Sequence, residues 1–183
     1  LKLLSLFKQD YCSSKYIFNL IPGKKIKKKD EQGKQIETIL INNAQSFVEL
    51  WNKSCDAASK AVEMVSNSGE NDFGAIKPEF IPNTTIIPLI AAVLMEIQQN
   101  KSVKLKANDP AFRKMMVKWY WSAVLSEDYS GSSDTVMSED FRDIKAWLSD
   151  NNAKRIRRIK KVDRDFINSI DLRTTQKGSS QYN

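Results

Sequence analysis

Ile86-Ile87-Pro88-Leu89-Ile90-Ala91-Ala92-Val93-Leu94-Met95, continued by Ile97, is apolar on nearly every side of a helix. A surface helix carries one apolar stripe and one polar face. A helix with no polar face belongs in the middle of a domain, wrapped by other elements. Pro88 falls in the first turn, where its missing N–H costs nothing. The run is too short to span a bilayer, which takes about 20 apolar residues. The stretch 85–99 is therefore expected to be a central helix, and the rest of the chain is read as what surrounds it.

On the N-terminal side, Phe47, Leu50, Trp51, Ala58, Ala61, Val62 and Val65 recur at helical spacing. Asn42 and Asn43 are good caps before them, and Gly69 is a plausible left-handed stop after them. This predicts a helix over 43–67. On the C-terminal side, Asp109-Pro110 is a start signal, with Asp as cap and Pro at the first helical position. Phe112, Met115, Met116, Trp119, Tyr120, Val124 and Leu125 carry that helix to about residue 127. A Ser-Gly-Ser turn then leads to a helix over 135–149 and a short one near 163–172. Residues 1–20 read as a helix and a turn anchored by Tyr11, Tyr16, Phe18 and Leu20. The segment 71–85 reads as a loop anchored by Phe73 and Phe80. The expected fold is all-α: a single domain over 1–183, an irregular bundle of about five to seven helices. One short hairpin has room near residues 22–41, with Glu37–Ile41 as the strand candidate, a segment that suits a helix equally well.

Composition narrows the function. The chain has 183 residues, a formal charge of +7, two cysteines and no histidine. Absent histidine removes the usual general base and the commonest metal ligand together. Two cysteines without histidine do not make a structural zinc site. Cys12 and Cys55 read as free thiols of a cytoplasmic protein, and no signal peptide or membrane span is seen. Leu1 is not methionine, and both ends read as cut, so the chain is expected to be an internal piece of a larger protein.

The positive charge is clustered. Pro22 to Gly33 holds Lys24, Lys25, Lys27, Lys28 and Lys29 in a basic loop or hairpin tip. Lys154, Arg155, Arg157, Arg158, Lys160 and Lys161 fill six of the eight positions 154–161. Each such cation can neutralise a phosphate and add salt-sensitive affinity, or simply face water. Ile156 and Ile159 suit a helix with its apolar face inward and its cations outward. Trp119 and Tyr120 belong to the core face of their helix, while Trp121 points elsewhere. Glu139 and Asp140 read as acids of a helix first turn, where the dipole favours them. Adjacent helix positions diverge by about 100 degrees, so the two do not converge on one ion.

Trp119-Tyr120-Trp121-Ser122-Ala123-Val124-Leu125-Ser126-Glu127-Asp128-Tyr129-Ser130-Gly131, followed by Ser138-Glu139-Asp140-Phe141-Arg142-Asp143-Ile144, resembles the helical part of the GmrSD-type restriction endonuclease N-terminal domain family. The resemblance covers about residues 40–183 and is strongest over 112–148. It implies a role in bacterial defence against modified phage DNA. Members carry a ParB-like domain with an Asp-Gly-Gln-Gln-Arg motif and nucleotide-dependent function, and many carry an HNH nuclease. Neither motif occurs here, so no catalytic residue and no cofactor is carried over. Trp119, Tyr129, Gly131 and Asp140 match the motif; Tyr129, Gly131 and Asp140 read as turn and cap residues that hold two helices in register. The expectation is a helical accessory module that contacts DNA or positions neighbouring domains. The alternative is a non-catalytic interaction domain with no nucleic-acid role.

Overall fold

The computed structural model describes residues 1–29, 32–69, 72–75, 81, 84–150, 156–171 and 173. Eight α-helices and one two-stranded sheet lie among them: α1 (Lys2–Gln9), α2 (Ser14–Ile17), β1 (Lys25–Lys29), β2 (Gln35–Ile39), α3 (Ala44–Ser66), α4 (Ile86–Gln99), α5 (Pro110–Leu125), α6 (Ser133–Asp150), α7 (Arg157–Lys161) and α8 (Arg164–Ser169). The protein is mostly helical but not all-α.

α4 is the centre. Nine of its residues are buried, from Ile86 to Glu96, and it packs against α1, α3 and α6. Its lack of a polar face thus has the expected consequence. α5 starts where Asp109-Pro110 placed it, with the Asp109 carboxylate accepting from the Ala111 N–H at 2.9 Å. Asn43 caps α3 in the same way, accepting from the Ser46 N–H at 2.8 Å. α1 is held to α6 by Lys2–Asp134 at 2.6 Å and Lys145–Asp10 at 2.7 Å. Cys12 is buried and Cys55 exposed, both as free thiols.

The short hairpin expected near residues 22–41 is present, and the lysine run forms its first strand instead of a loop. β1 and β2 pair antiparallel with Lys25 opposite Ile39 and Lys29 opposite Gln35. The expected strand Glu37–Ile41 is therefore displaced to Gln35–Ile39. Gly23 (φ 75°) at the root and Gly33 (φ 81°) at the tip take left-handed conformations that side chains disfavour. The Gly23 N–H closes the root on the Ile41 carbonyl at 2.8 Å.

Other expectations are corrected. Phe18 and Tyr11 are not anchors: both rings are exposed, and Leu20 alone of that group is fully buried. Phe73 does anchor its loop, edge-on to Tyr120 at 5.1 Å between ring centres. Phe80 lies outside the described residues. Gly69 has no left-handed φ; its N–H is held by the Asp72 carboxylate instead. Trp51 and Val62 point to solvent, although they share the apolar periodicity of α3. The side of α3 that packs is Leu50, Ser54, Ala57, Ala61 and Met64, roughly 100 degrees away.

Candidate nucleic-acid interface

The two basic clusters meet different fates. The hairpin lysines stay in solvent. Lys27, Lys28 and Lys29 are exposed, and among the described residues no carboxylate pairs with them. Lys25 lies 3.4 Å from Glu37, with both side chains mostly exposed, so the pair holds little energy. Lys24 donates to the Phe18 carbonyl at 3.2 Å, close to the root. Neither strand packs broadly against a helix, so the hairpin projects. Side chains alternate along a strand, so Lys25, Lys27 and Lys29 share one face while Lys28 occupies the other. The result is a two-stranded ribbon with cations on both faces.

The second cluster is turned inward. Lys154 and Arg155 lie outside the described residues. Arg158 is buried rather than solvated: its guanidinium donates to both oxygens of Asp140, at 3.2 and 3.3 Å, and pairs with Asp128. Lys161 also reaches Asp128, at 2.7 Å. Arg157 pairs with Asp143 at 2.9 Å and approaches Glu139 at 3.6 Å. Ile156 and Ile159 do face the body, but Arg158 faces it too, which the expected cations-outward helix did not allow. Arg158 is thereby withdrawn from any phosphate, and Lys160 is the exposed cation of α7 with no carboxylate on it among the described residues.

Asp140 is the hub of this arrangement. It sits in the third turn of α6, not in a first turn, and is 1% exposed. One of its oxygens accepts from the Trp119 indole N–H at 3.0 Å, the Tyr129 hydroxyl at 2.9 Å and the Arg158 Nε–H. Three of the four motif residues thus converge at one carboxylate; Tyr129 reaches it from the 3-10 turn Asp128–Ser130, and Asp140 is the acceptor of a buried network rather than a cap. Gly131, the fourth, follows the 3-10 turn Asp128–Ser130 and leads into α6. Burial pushes the Asp140 carboxyl up to about 6, against the lowering effect of the Trp119 and Tyr129 hydrogen bonds. Burial likewise pulls Arg158 down and pushes the Tyr129 hydroxyl well up. All three shifts share one cause, the loss of water, and mark the site as a dry polar knot.

Two of the surface clefts among the described residues have volumes of about 240 and about 390 Å³. Among the described residues, Glu49 is the carboxylate that lines the first and Glu63 the one that lines the second. Among the described residues no helix is long and apolar enough to cross a membrane. Trp119 and Tyr120 are buried, and Trp121 is exposed, as their spacing predicted.

Similarity to a known protein covers part of the chain. Over 120 residues the chain is 32% identical to Uncharacterized protein MJ0686 of Methanocaldococcus jannaschii. The match takes in 65% of this chain and 19% of that protein, so the chain spans about a fifth of its relative's length. No family model matches the sequence. No solved structure matches it.

Proposed function

We propose that this chain is a helical accessory module of a restriction-type defence protein, which contacts DNA through its lysine hairpin and positions neighbouring domains on its helical body. The hairpin carries the reading. A two-stranded β-ribbon fits the B-DNA major groove, and lysines on both of its faces meet the phosphates that flank the groove. Lys27, Lys28 and Lys29 are the cations left free to do so. The motif resemblance around Trp119–Gly131 supports the restriction-type setting. In this reading the Asp140 knot is the rigid part that keeps α5, α6 and α7 together, with no chemical role.

Fluorescence anisotropy with a short duplex tests it. Binding should weaken steeply between about 50 and 200 mM salt, as counterion release requires. Changing Lys27, Lys28 and Lys29 together to Gln should lower the log–log salt slope by about 2 to 3, at roughly 0.9 for each phosphate that is no longer neutralised. Arg158→Met should leave the slope unchanged. No binding at low salt, or an unchanged slope in the triple variant, removes the DNA role.

A further inference from the structure

The cleft of about 240 Å³ opens at the root of the lysine hairpin, between the end of α1 and the first turns of α3. Its α3 wall is Ser46, Glu49, Leu50 and Lys53, which follow each other at steps of three and four residues and so share one helix face. Lys8 comes from α1, and Asn42 follows the Ile41 carbonyl that accepts from the Gly23 N–H at the root. Buried Ile41 and Leu50 close the floor. The volume is below the roughly 300–1,000 Å³ of sites for drug-sized ligands, so the cleft suits one small group. Its charge selects the sign of that group. Lys8 and Lys53 bring two positive charges against the single negative charge of Glu49, and among the described residues no carboxylate forms an ion pair with either lysine. The Glu49 carboxylate already accepts from the Gln45 side chain at 3.1 Å. The Ser46 hydroxyl and the Asn42 carboxamide add neutral donors. Ser46 also lies in the first turn of α3, where the helix dipole favours an anion.

We infer that this cleft binds a phosphate group, and that the group is a backbone phosphate of the DNA held by the hairpin. The choice of the backbone as its source rests on the DNA reading given above. A phosphate offers several anionic acceptor oxygens at once, which two ammonium groups, a hydroxyl and a carboxamide can share as charge-assisted and neutral hydrogen bonds. The place of the cleft favours the backbone over a free anion. Lys25 to Lys29 covers about 14 Å, at about 3.4 Å per residue of strand. The major groove of B-DNA is about 12 Å wide. A ribbon that crosses the groove with its far lysines on one strand therefore brings its root, and the cleft beside the root, to the phosphates of the other strand. Contacts of this kind fix where the protein sits on the duplex and read no bases. The exposed hairpin lysines attract the duplex from solvent, and the cleft holds one phosphate in a defined position.

Anisotropy titrations of a short duplex with the full 183-residue chain test the backbone as the source. Lys8→Gln with Lys53→Gln should lower the log–log salt slope by about 0.9, the value of one phosphate, in addition to the loss caused by the Lys27, Lys28 and Lys29 variant. Glu49→Gln removes the like charge beside the bound group and should tighten binding about threefold. Glu63→Gln, at the far end of α3, should not. Inorganic phosphate tests the cleft by itself. Exchanged for chloride at constant ionic strength, it should shift the amide NMR resonances of Ser46 and Asn42, and the Lys8→Gln, Lys53→Gln variant should lose those shifts. Duplex binding with an unchanged slope in that variant overturns the inference and leaves the hairpin reading in place. No duplex binding with the phosphate shifts intact removes the hairpin reading and the backbone source together, and keeps the cleft as a site for a free phosphate group. Phosphate that shifts neither amide overturns the site itself.

Discussion

Asp140→Asn is the sharpest probe of the structure, because it keeps the shape of the side chain and changes its charge and its hydrogen bonding. Arg158 is buried and holds Asp140 on one side and Asp128 on the other. Removing one partner of a buried ion pair costs about 3–5 kcal/mol, because the remaining charge stays desolvated. Asp128 still holds the guanidinium, which sets the expectation at the lower end, about 3 kcal/mol at pH 7. The new amide N–H₂ would also point at Arg158, donor against donor, if its oxygen keeps the Trp119 and Tyr129 hydrogen bonds. Urea unfolding followed by tryptophan fluorescence measures this as a lower midpoint at unchanged slope. The pH dependence follows from the shift. The folded carboxyl takes its proton near 6, while the unfolded one waits until its ordinary value of 3.8. Folded protein therefore binds the proton more tightly, and this group's contribution to stability is full below 3.8 and declines as pH rises through 6. The gap between wild type and Asp140→Asn should therefore widen as the pH falls from 7 to 4.5. A loss under about 1 kcal/mol at pH 7 would refute the buried ion pair with Arg158, and a gap that does not move with pH would refute the upward push that burial gives the carboxyl.

Replacing the pair by apolar residues of similar size, Asp140→Leu with Arg158→Met, should recover most of that loss, since the desolvation of both charges then disappears; calorimetric midpoints of the single and double variants check it. Lys161→Ala, in contrast, removes a half-exposed partner of Asp128 and should cost under about 1 kcal/mol by the same unfolding assay. Glu127 holds a left-handed conformation (φ 54°) at the end of α5, and its buried Oε1 has no hydrogen-bond partner among the described residues. Glu127→Gly relieves both and should raise stability by about 1 kcal/mol, read as a higher urea midpoint. Phe73→Ala empties a fully buried ring site beside Tyr120 and should cost about 3–5 kcal/mol in the same measurement.

The elements were legible where local chemistry dictates them. The all-round apolar character of Ile86–Ile97 implied a wrapped helix, and α4 is that helix. Asn43 and Asp109 satisfy helix N–H groups from two or three residues away, so their role depends on nothing distant. The hairpin was half legible: Gly23 and Gly33 mark its turns, but alternating lysines do not distinguish a strand from a solvated loop. The site was legible only as separate pieces. Trp119, Tyr129 and Asp140 stand out as a motif, and Tyr129 does lie in a turn, yet Asp140 is a buried acceptor inside α6 rather than a cap. Their meeting point depends on contacts across 11 and 21 residues of sequence.

By itself, then, the sequence determined which segments are helical, which helix is central and that the hairpin bears charge. Those properties follow from periodicity and capping within a few residues. Only the tertiary structure decided which charges are neutralised from within. Arg158 and Lys27 are both cations in basic runs, but Asp128 and Asp140 come within reach of Arg158 and not of Lys27. It likewise decided which apolar side chains of α3 the body covers, since Leu50 and Trp51 share one periodicity and differ only in what packs beside them. Helical spacing gives the angle between side chains, and only the neighbouring elements determine which of those angles is sealed from water.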